Sequence, residues 1–291
     1  MRVSTVFDNL PTTVVVVADS ERTGLLTACL ESLTACAPRA AEILVTDPTG
    51  TDAAAEAVRR FGDDTVRIVP GMHASRGAAL NAALRLAAND IVLLTNDDCI
   101  ASASWVASGW SRVAANPAVL VTGQVLPLED SRRVPTNMHA PRPNMFPPMT
   151  NWGEVHGWVM ACSRDRVLDA GGFDEGSPMA EDLELRYRLG RSGLGVEYAP
   201  EVIVWRQNWR SERQLRQLAR VSAVQRGALY AKYARLGDRR AVRLAAAELR
   251  AGVRSLAAAL RHRRRSWSDP RRGILYGLPA GLARGFRRPR P

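Results

Sequence analysis

Between residues 12 and 94 the chain alternates short apolar runs with helical patterns, and few folds accept that rhythm. Thr12 to Val17 is a β-branched run ending at Ala18-Asp19-Ser20, after which Leu25, Leu26, Cys29, Leu30 and Leu33 recur at helical spacing. Glu42 to Thr46 predicts a second strand, Ala53 to Phe61 a second helix and Val66 to Val69 a third strand. Ala78 to Ala88 predicts a helix of small residues. It leads into Asp90 to Leu94, an apolar strand of the kind buried on both faces of a parallel sheet. The order β-α-β-α-β-α-β predicts an α/β fold with a doubly wound, mainly parallel sheet and right-handed crossovers.

Sheets of this kind bind ligands at the carboxyl ends of their strands. Here those ends are Asp19-Ser20, Asp47, the loop from Met72 to Gly77, and Asn96-Asp97-Asp98, and each carries polar side chains. The sharpest local signal is Ile91-Val92-Leu93-Leu94-Thr95-Asn96-Asp97-Asp98, a buried strand that delivers carboxylates at its end. Such carboxylates can hold a divalent cation that bridges a diphosphate; a helix cap or a solvated turn produces the same pair. A second constellation is Gly171-Gly172-Phe173-Asp174-Glu175, then Glu181-Asp182, which open an amphipathic helix with Leu185 and Leu189 facing inward. The helix dipole alone favours acids there, yet transfer to a hydroxyl also needs one carboxylate as general base.

Glu129 to Trp152 carries five prolines and predicts a long irregular stretch. From Arg213 onward the pattern is helical, with Leu215, Leu218, Val221 and Val224 on one face and arginines around the other. The division expected is a body over 1–212 and a basic helical extension over 213–291. Charge follows the same division: of the net +11, residues 204–291 carry 23 Lys or Arg against 4 Asp or Glu, so the body is net acidic. A basic tail suits an anionic membrane surface or nucleic acid. The four cysteines have no metal-knuckle or disulfide spacing and read as reduced thiols. No run of 18 apolar residues and no secretory pattern at Met1-Arg2-Val3-Ser4 lead to the expectation of a cytoplasmic protein, with peripheral attachment at the inner membrane face through the tail.

The combination and order of these motifs resembles the inverting glycosyltransferases of family 2, over about residues 12 to 212. Val14 to Arg22 is similar to that family's opening strand and nucleotide loop, with Ala18 in place of the usual Pro. Asp47 matches its nucleobase-contacting acid, and Pro48-Thr49-Gly50-Thr51-Asp52 is a degenerate form of its DGSTD turn. Ser75-Arg76-Gly77-Ala78-Ala79-Leu80-Asn81 is similar to its RGxxxxN segment. Asn96-Asp97-Asp98 stands where the family has DxD, with Asn96 replacing the first acid. One departure matters. Where many members place a metal-binding His after a strand like Val202 to Val204, this chain reads Trp205-Arg206-Gln207-Asn208.

The resemblance implies a GT-A fold and a nucleoside diphosphate sugar as donor. It puts the donor on Ala18, Asp19, Arg22, Asp47, Arg76, Asn81, Asn96 and Asp97, and a divalent cation, Mg²⁺ or Mn²⁺, on Asp98. Asp182 matches the general base, Glu181 stands beside it, and Gly157 and Trp158, with Arg164 nearby, belong to the acceptor side. Arg206 cannot bind a cation. Either the metal is held by Asp98, diphosphate and water, or Arg206 itself neutralises the leaving diphosphate. The acceptor, whether glycan, lipid-linked or a small natural product, is not readable. A nucleotidyltransferase would carry a Gly-rich basic loop after the first strand, and Ala18 to Arg22 has none. Nucleic-acid binding is disfavoured by the acidic body and the lack of a recognition module. A non-catalytic scaffold would explain Pro48, Asn96 and Arg206 but not the retention of Asp47, Asp98 and Asp182.

Overall fold

A computed structural model of the chain describes residues 9–18, 22–128, 144–146, 159–176, 181–261 and 270–287. Contacts divide the chain into two compact units, Met1–Gly176 with Leu185–Asn208, and Ser177–Glu184 with Trp209–Pro291.

The first unit opens with β1 (Asn9–Val17), α1 (Thr23–Thr34), β2 (Arg39–Thr46), α2 (Ala53–Phe61), β3 (Val66–Ile68), α3 (Arg76–Leu86) and β4 (Ile91–Asn96). It continues through β5 (Cys99–Ala101), α4 (Trp105–Ala115), β6 (Val119–Pro127), β7 (Asn144–Phe146), β8 (Met160–Ser163) and α5 (Arg164–Asp169). The helix α6 (Glu181–Arg191) follows, counted with this unit from Leu185, and then β9 (Gly195–Arg206). The strands form one sheet in the order β3-β2-β1-β4-β8-β6-β9-β5, with β7 pairing β9. The half β3-β2-β1-β4 is parallel throughout. Beyond it β8 runs antiparallel to both β4 and β6, and β6 and β9 are parallel.

Both faces of that sheet are covered. Alternate residues of a strand point to opposite faces, and the core divides accordingly. Val14, Val16 and Leu93 pack with Leu26, Leu30 and Leu33 of α1, Ala54 and Val58 of α2, and Trp105 and Val113 of α4. Val15, Val17, Val92 and Leu94 pack with Leu80 and Leu84 of α3, Val167 of α5, and Leu185 and Leu189 of α6. This is the doubly wound arrangement that the apolar runs predict: Val14, Val15 and Val16 are 0% exposed because β1 lies between β2 and β4 with helices on either side.

Residues 99–127 gave no strand or helix in the sequence pattern yet contain β5, α4 and β6. In β6 the residues Gly123 and Pro127 dilute the apolar signal, and the register against β9 shifts between Thr122 and Gln124. The stretch expected to be irregular, Glu129 to Trp152, lies outside the described residues except for β7, a short edge strand on β9.

In the second unit the described helices are α7 (Glu212–Arg235), α8 (Arg239–Arg261) and α9 (Pro270–Arg287). Ser211 starts α7 with a capping box: its hydroxyl accepts from the Gln214 amide at 3.3 Å, and the Gln214 side chain accepts from the Ser211 amide at 2.8 Å. The helix α9 crosses the Gly273 to Arg288 stretch, where glycines hide the helical period. Those glycines allow close packing, since a Cβ at Gly281 would lie 1.9 Å from the Val224 carbonyl oxygen of α7. Arg226 and the Tyr230 hydroxyl of α7 both bond Glu248 of α8, at 3.1 and 2.6 Å. Glu184 belongs to the same unit. Its carboxylate accepts from Tyr233 Oη at 2.6 Å and Lys232 Nζ at 3.1 Å.

Candidate functional site

The parallel pairing of β1 with β4 sets Val17 opposite Asn96, so both strands release their chains at one edge of the sheet. Two backbone bonds fix that edge: the Ala18 amide donates to Thr46 O at 2.9 Å, and the Asp97 amide to Val17 O at 3.1 Å. Asn96, Asp97 and Asp98 are thereby held inside the protein, at 5%, 2% and 2% exposure. The antiparallel pairing of β5 with β9 sets Cys99 opposite Arg206 and brings Arg206 alongside Asp98. Its Nε and Nη2 donate to Asp98 Oδ2 at 3.2 and 3.0 Å. A second guanidinium reaches the same edge, for Arg76 Nη2 donates to Asn96 Oδ1 at 2.6 Å. Strand register and the start of α3 thus bring Arg206 and Arg76 to the Asn96-Asp97-Asp98 segment, at the place where a sheet of this topology binds its ligand.

Neighbouring thiols report the electrostatics of this edge. Burial, then Asp98, pushes Cys99 up to about 12, with Arg206 pulling the other way. Cys29 is pushed well up by burial, by Cys99 and by the Asp97 and Asp98 carboxylates. Cys162 is pushed up to about 12 by burial alone. All four cysteines are buried free thiols, as their spacing suggested.

Among the described residues the donor set does not by itself suit a resident divalent cation. No group of three or more His, Cys, Asp or Glu able to hold a metal occurs among the described residues. Asp98, the carboxylate expected to be the ligand, is bonded to Arg206, and their side chains are 1% and 8% exposed. A cation on Asp98 would stand against that guanidinium, and like charges about 4 Å apart repel by on the order of 4 kcal/mol per unit of charge at an effective dielectric of about 20.

The remaining expected residues fall into three groups. Asp47 is half-buried and organises its own turn: Oδ1 accepts from the Thr49 amide at 2.7 Å and from the Thr49 hydroxyl, and Oδ2 from the Thr51 hydroxyl at 3.3 Å. Arg22 is exposed and Ala18 buried, both beside this edge. Asn81, expected on the donor, acts as a clamp within the chain. It is 4% exposed; its Nδ2 donates to Phe173 O at 3.0 Å and Glu175 Oε1 at 2.9 Å, and its Oδ1 accepts from the Phe173 amide at 2.7 Å. The Gly171-Gly172 turn that it holds has φ of +92° and +68°, and a Cβ on Gly172 would lie 2.4 Å from Asn81 Oδ1. Arg188 donates to the carbonyls of Ala170 and Gly172 and closes the same turn. Gly77 backs onto the loop as well, 2.6 Å from Asp174 O for an added Cβ. The two most recognisable loops of the sequence therefore hold each other. Arg164 likewise supports structure, bonding Ala87 O at 2.7 Å and Asp90 Oδ1 at 3.0 Å.

Glu181 and Asp182 lie at the start of α6 and count with the second unit. Glu181 is 4% exposed; Asp182 is half-buried, with Oδ1 accepting from the Leu183 amide at 2.6 Å. Asp19, Gly157 and Trp158 lie outside the described residues.

A sequence profile described as "Glycosyltransferase like family 2" matches residues 11–223, most of the chain. The chain belongs to glycosyltransferase family 2. Comparison with curated protein sequences finds no match. Among solved structures, this family 2 chain is similar to the mannosyltransferase PcManGT from Pyrobaculum calidifontis, solved in complex with GDP-Man and Mn²⁺. The TM-score is 0.62 at 20% identity, over 98% of this chain and 91% of that one. It is also similar to S. aureus TarS 1-349, with a TM-score of 0.55 at 15% identity, over 75% of this chain and 65% of that one. GalNAc-T7, solved with UDP, GalNAc and Mn²⁺, gives 0.55 at 15% identity over 77% and 50%. The chain thus spans just under two thirds of TarS and half of GalNAc-T7. At these identities the likeness establishes the GT-A fold.

Proposed function

We propose that this family 2 chain transfers a sugar from a nucleoside diphosphate sugar to an acceptor hydroxyl, with inversion at the anomeric carbon. The observation that carries the reading is the strand-end cluster of Asn96, Asp97 and Asp98 with Arg76 and Arg206, at the carboxyl edge of a parallel sheet. The similar structures solved with GDP-Man, UDP-GlcNAc and UDP support the donor class. Arg22 and Asp47 are assigned to the nucleoside, Arg76 and Arg206 to the diphosphate, and Asp97 to the ribose or sugar. The side-chain amide of Asn96 orients Arg76.

Asp182 is assigned as the base, on its match to the family's motif. As the acceptor oxygen bonds to the anomeric carbon, the carbon–oxygen bond to the diphosphate breaks. Its electron pair leaves with the diphosphate, and the acceptor proton passes to Asp182. The test is Asp182→Asn. Turnover should fall by about 10²- to 10⁴-fold, while calorimetric affinity for the nucleoside diphosphate stays as in the wild type. Near-normal turnover would remove Asp182 from the role.

The resemblance implies a divalent cation on Asp98, and two of the similar structures are complexes with Mn²⁺. For the acceptor, the basic second unit supports delivery at an anionic bilayer. Arg239, Arg243, Arg250 and Arg254 of α8 are exposed and share a helical face with Val242 and Val253, each 56% exposed. Among the described residues no helix is long and apolar enough to cross a membrane.

A further inference from the structure

We infer that the donor diphosphate is bound without a divalent cation, the positive charge being supplied by Arg206 on a mount provided by Asp98. This rests on the donor reading above and deepens it. Three observations carry it. Arg206 is fixed in place by its register opposite Cys99 and by two donations to one carboxylate oxygen, at 3.2 and 3.0 Å. The pair is buried, with side-chain exposures of 8% and 1%, so its charges are little screened. One oxygen of the carboxylate that would otherwise take a metal is engaged by this contact, and the described residues offer no cluster of three or more ligands to replace it.

The chemistry of the substitution is coherent. Breaking the carbon–oxygen bond leaves the electron pair on a diphosphate oxygen, and charge appears there as the reaction proceeds. A fixed cation aimed at that oxygen stabilises the transition state without reorganising. A guanidinium presents its N–H groups in a planar fork whose geometry suits phosphate. Asp98 then changes role from ligand to positioning residue, holding the fork in one orientation. Arg76, held by Asn96 at 2.6 Å, supplies the second guanidinium.

Calorimetry of UDP, GDP and dTDP into the full chain, once in EDTA and once in Mn²⁺, tests this. The nucleotide that binds should do so with dissociation constants within about threefold of each other in the two buffers. Arg206→His should weaken binding in EDTA by about tenfold or more and recover it in Mn²⁺, since imidazole ligates a metal and guanidinium does not. Circular dichroism checks that this variant folds. If it does not, Arg206→Lys keeps the charge without the fork and should bind more weakly but equally in both buffers. Binding by the wild type only in Mn²⁺ overturns the inference and leaves the donor site standing. Undiminished, metal-indifferent binding by Arg206→His also overturns it. No binding of any nucleotide in either buffer removes the donor site itself, and the proposed function falls with the inference.

Discussion

Glu42 is an acid on a buried strand, 6% exposed, and its surroundings decide its charge. Burial pushes its carboxyl up, but donations from the Ala88 amide, the Thr13 hydroxyl and Arg67 outweigh that and hold it below its ordinary 4.5. A carboxyl lowered by folding contributes stability that is complete above its unfolded value and lost as pH falls through the folded one. Glu42→Gln should therefore cost about 1–3 kcal/mol at pH 7, and the gap between the two urea midpoints should close as pH drops below about 4.5. A gap independent of pH would mean that shape rather than charge matters there. Single residues of this sort were only partly legible in the sequence. The types at the candidate site, Asp98 and Arg206, could be read from motifs. Their pairing could not, because it crosses 108 positions and depends on the register of β5 with β9. The clamp made by Asn81 was hidden for the same reason: its partners Phe173 and Glu175 are 92 and 94 positions away, and a motif does not show which residues it bonds.

At the level of elements, the α/β alternation of the first 94 residues was legible because a strand covered on both faces must be apolar throughout, and a helix covered on one face must repeat at 3.6. The signal fades where the sheet turns antiparallel and strands shorten to three or four residues, as in β5, β7 and β8. It also fades in α9, whose contact with α7 is made by absent side chains rather than by apolar ones. There the usual rule reverses. Alanine for glycine in an open helix is worth up to about 1 kcal/mol, but Gly281→Ala places its Cβ 1.9 Å from one backbone atom and 2.8 Å from another. It should destabilise the chain by roughly 1–3 kcal/mol through overpacking, read as a lower thermal midpoint. A raised midpoint would show that α7 and α9 can separate freely.

For the whole molecule, the concentration of positive charge in residues 204–291 makes a physical prediction independent of the chemistry. The protein should sediment with vesicles containing phosphatidylglycerol at low salt, release at high salt, and ignore neutral vesicles, since each basic residue near an anionic surface is worth about 1 kcal/mol. Arg243→Glu with Arg254→Glu, both on the exposed face of α8, should lose most of that binding; retention by the double variant would move the contact elsewhere. The division into units adds a different kind of constraint. Residues 177–184 count with the helices that follow residue 208, and Glu184 is bonded there by Tyr233 and Lys232. Chain order and spatial grouping therefore disagree around the proposed base. A gene shortened after codon 208 would still encode Asp182 but would discard the partners of its neighbour Glu184. The basic helices thus carry the donors that satisfy the buried Glu184 carboxylate, and a lineage that replaced them would have to supply new ones in the same step.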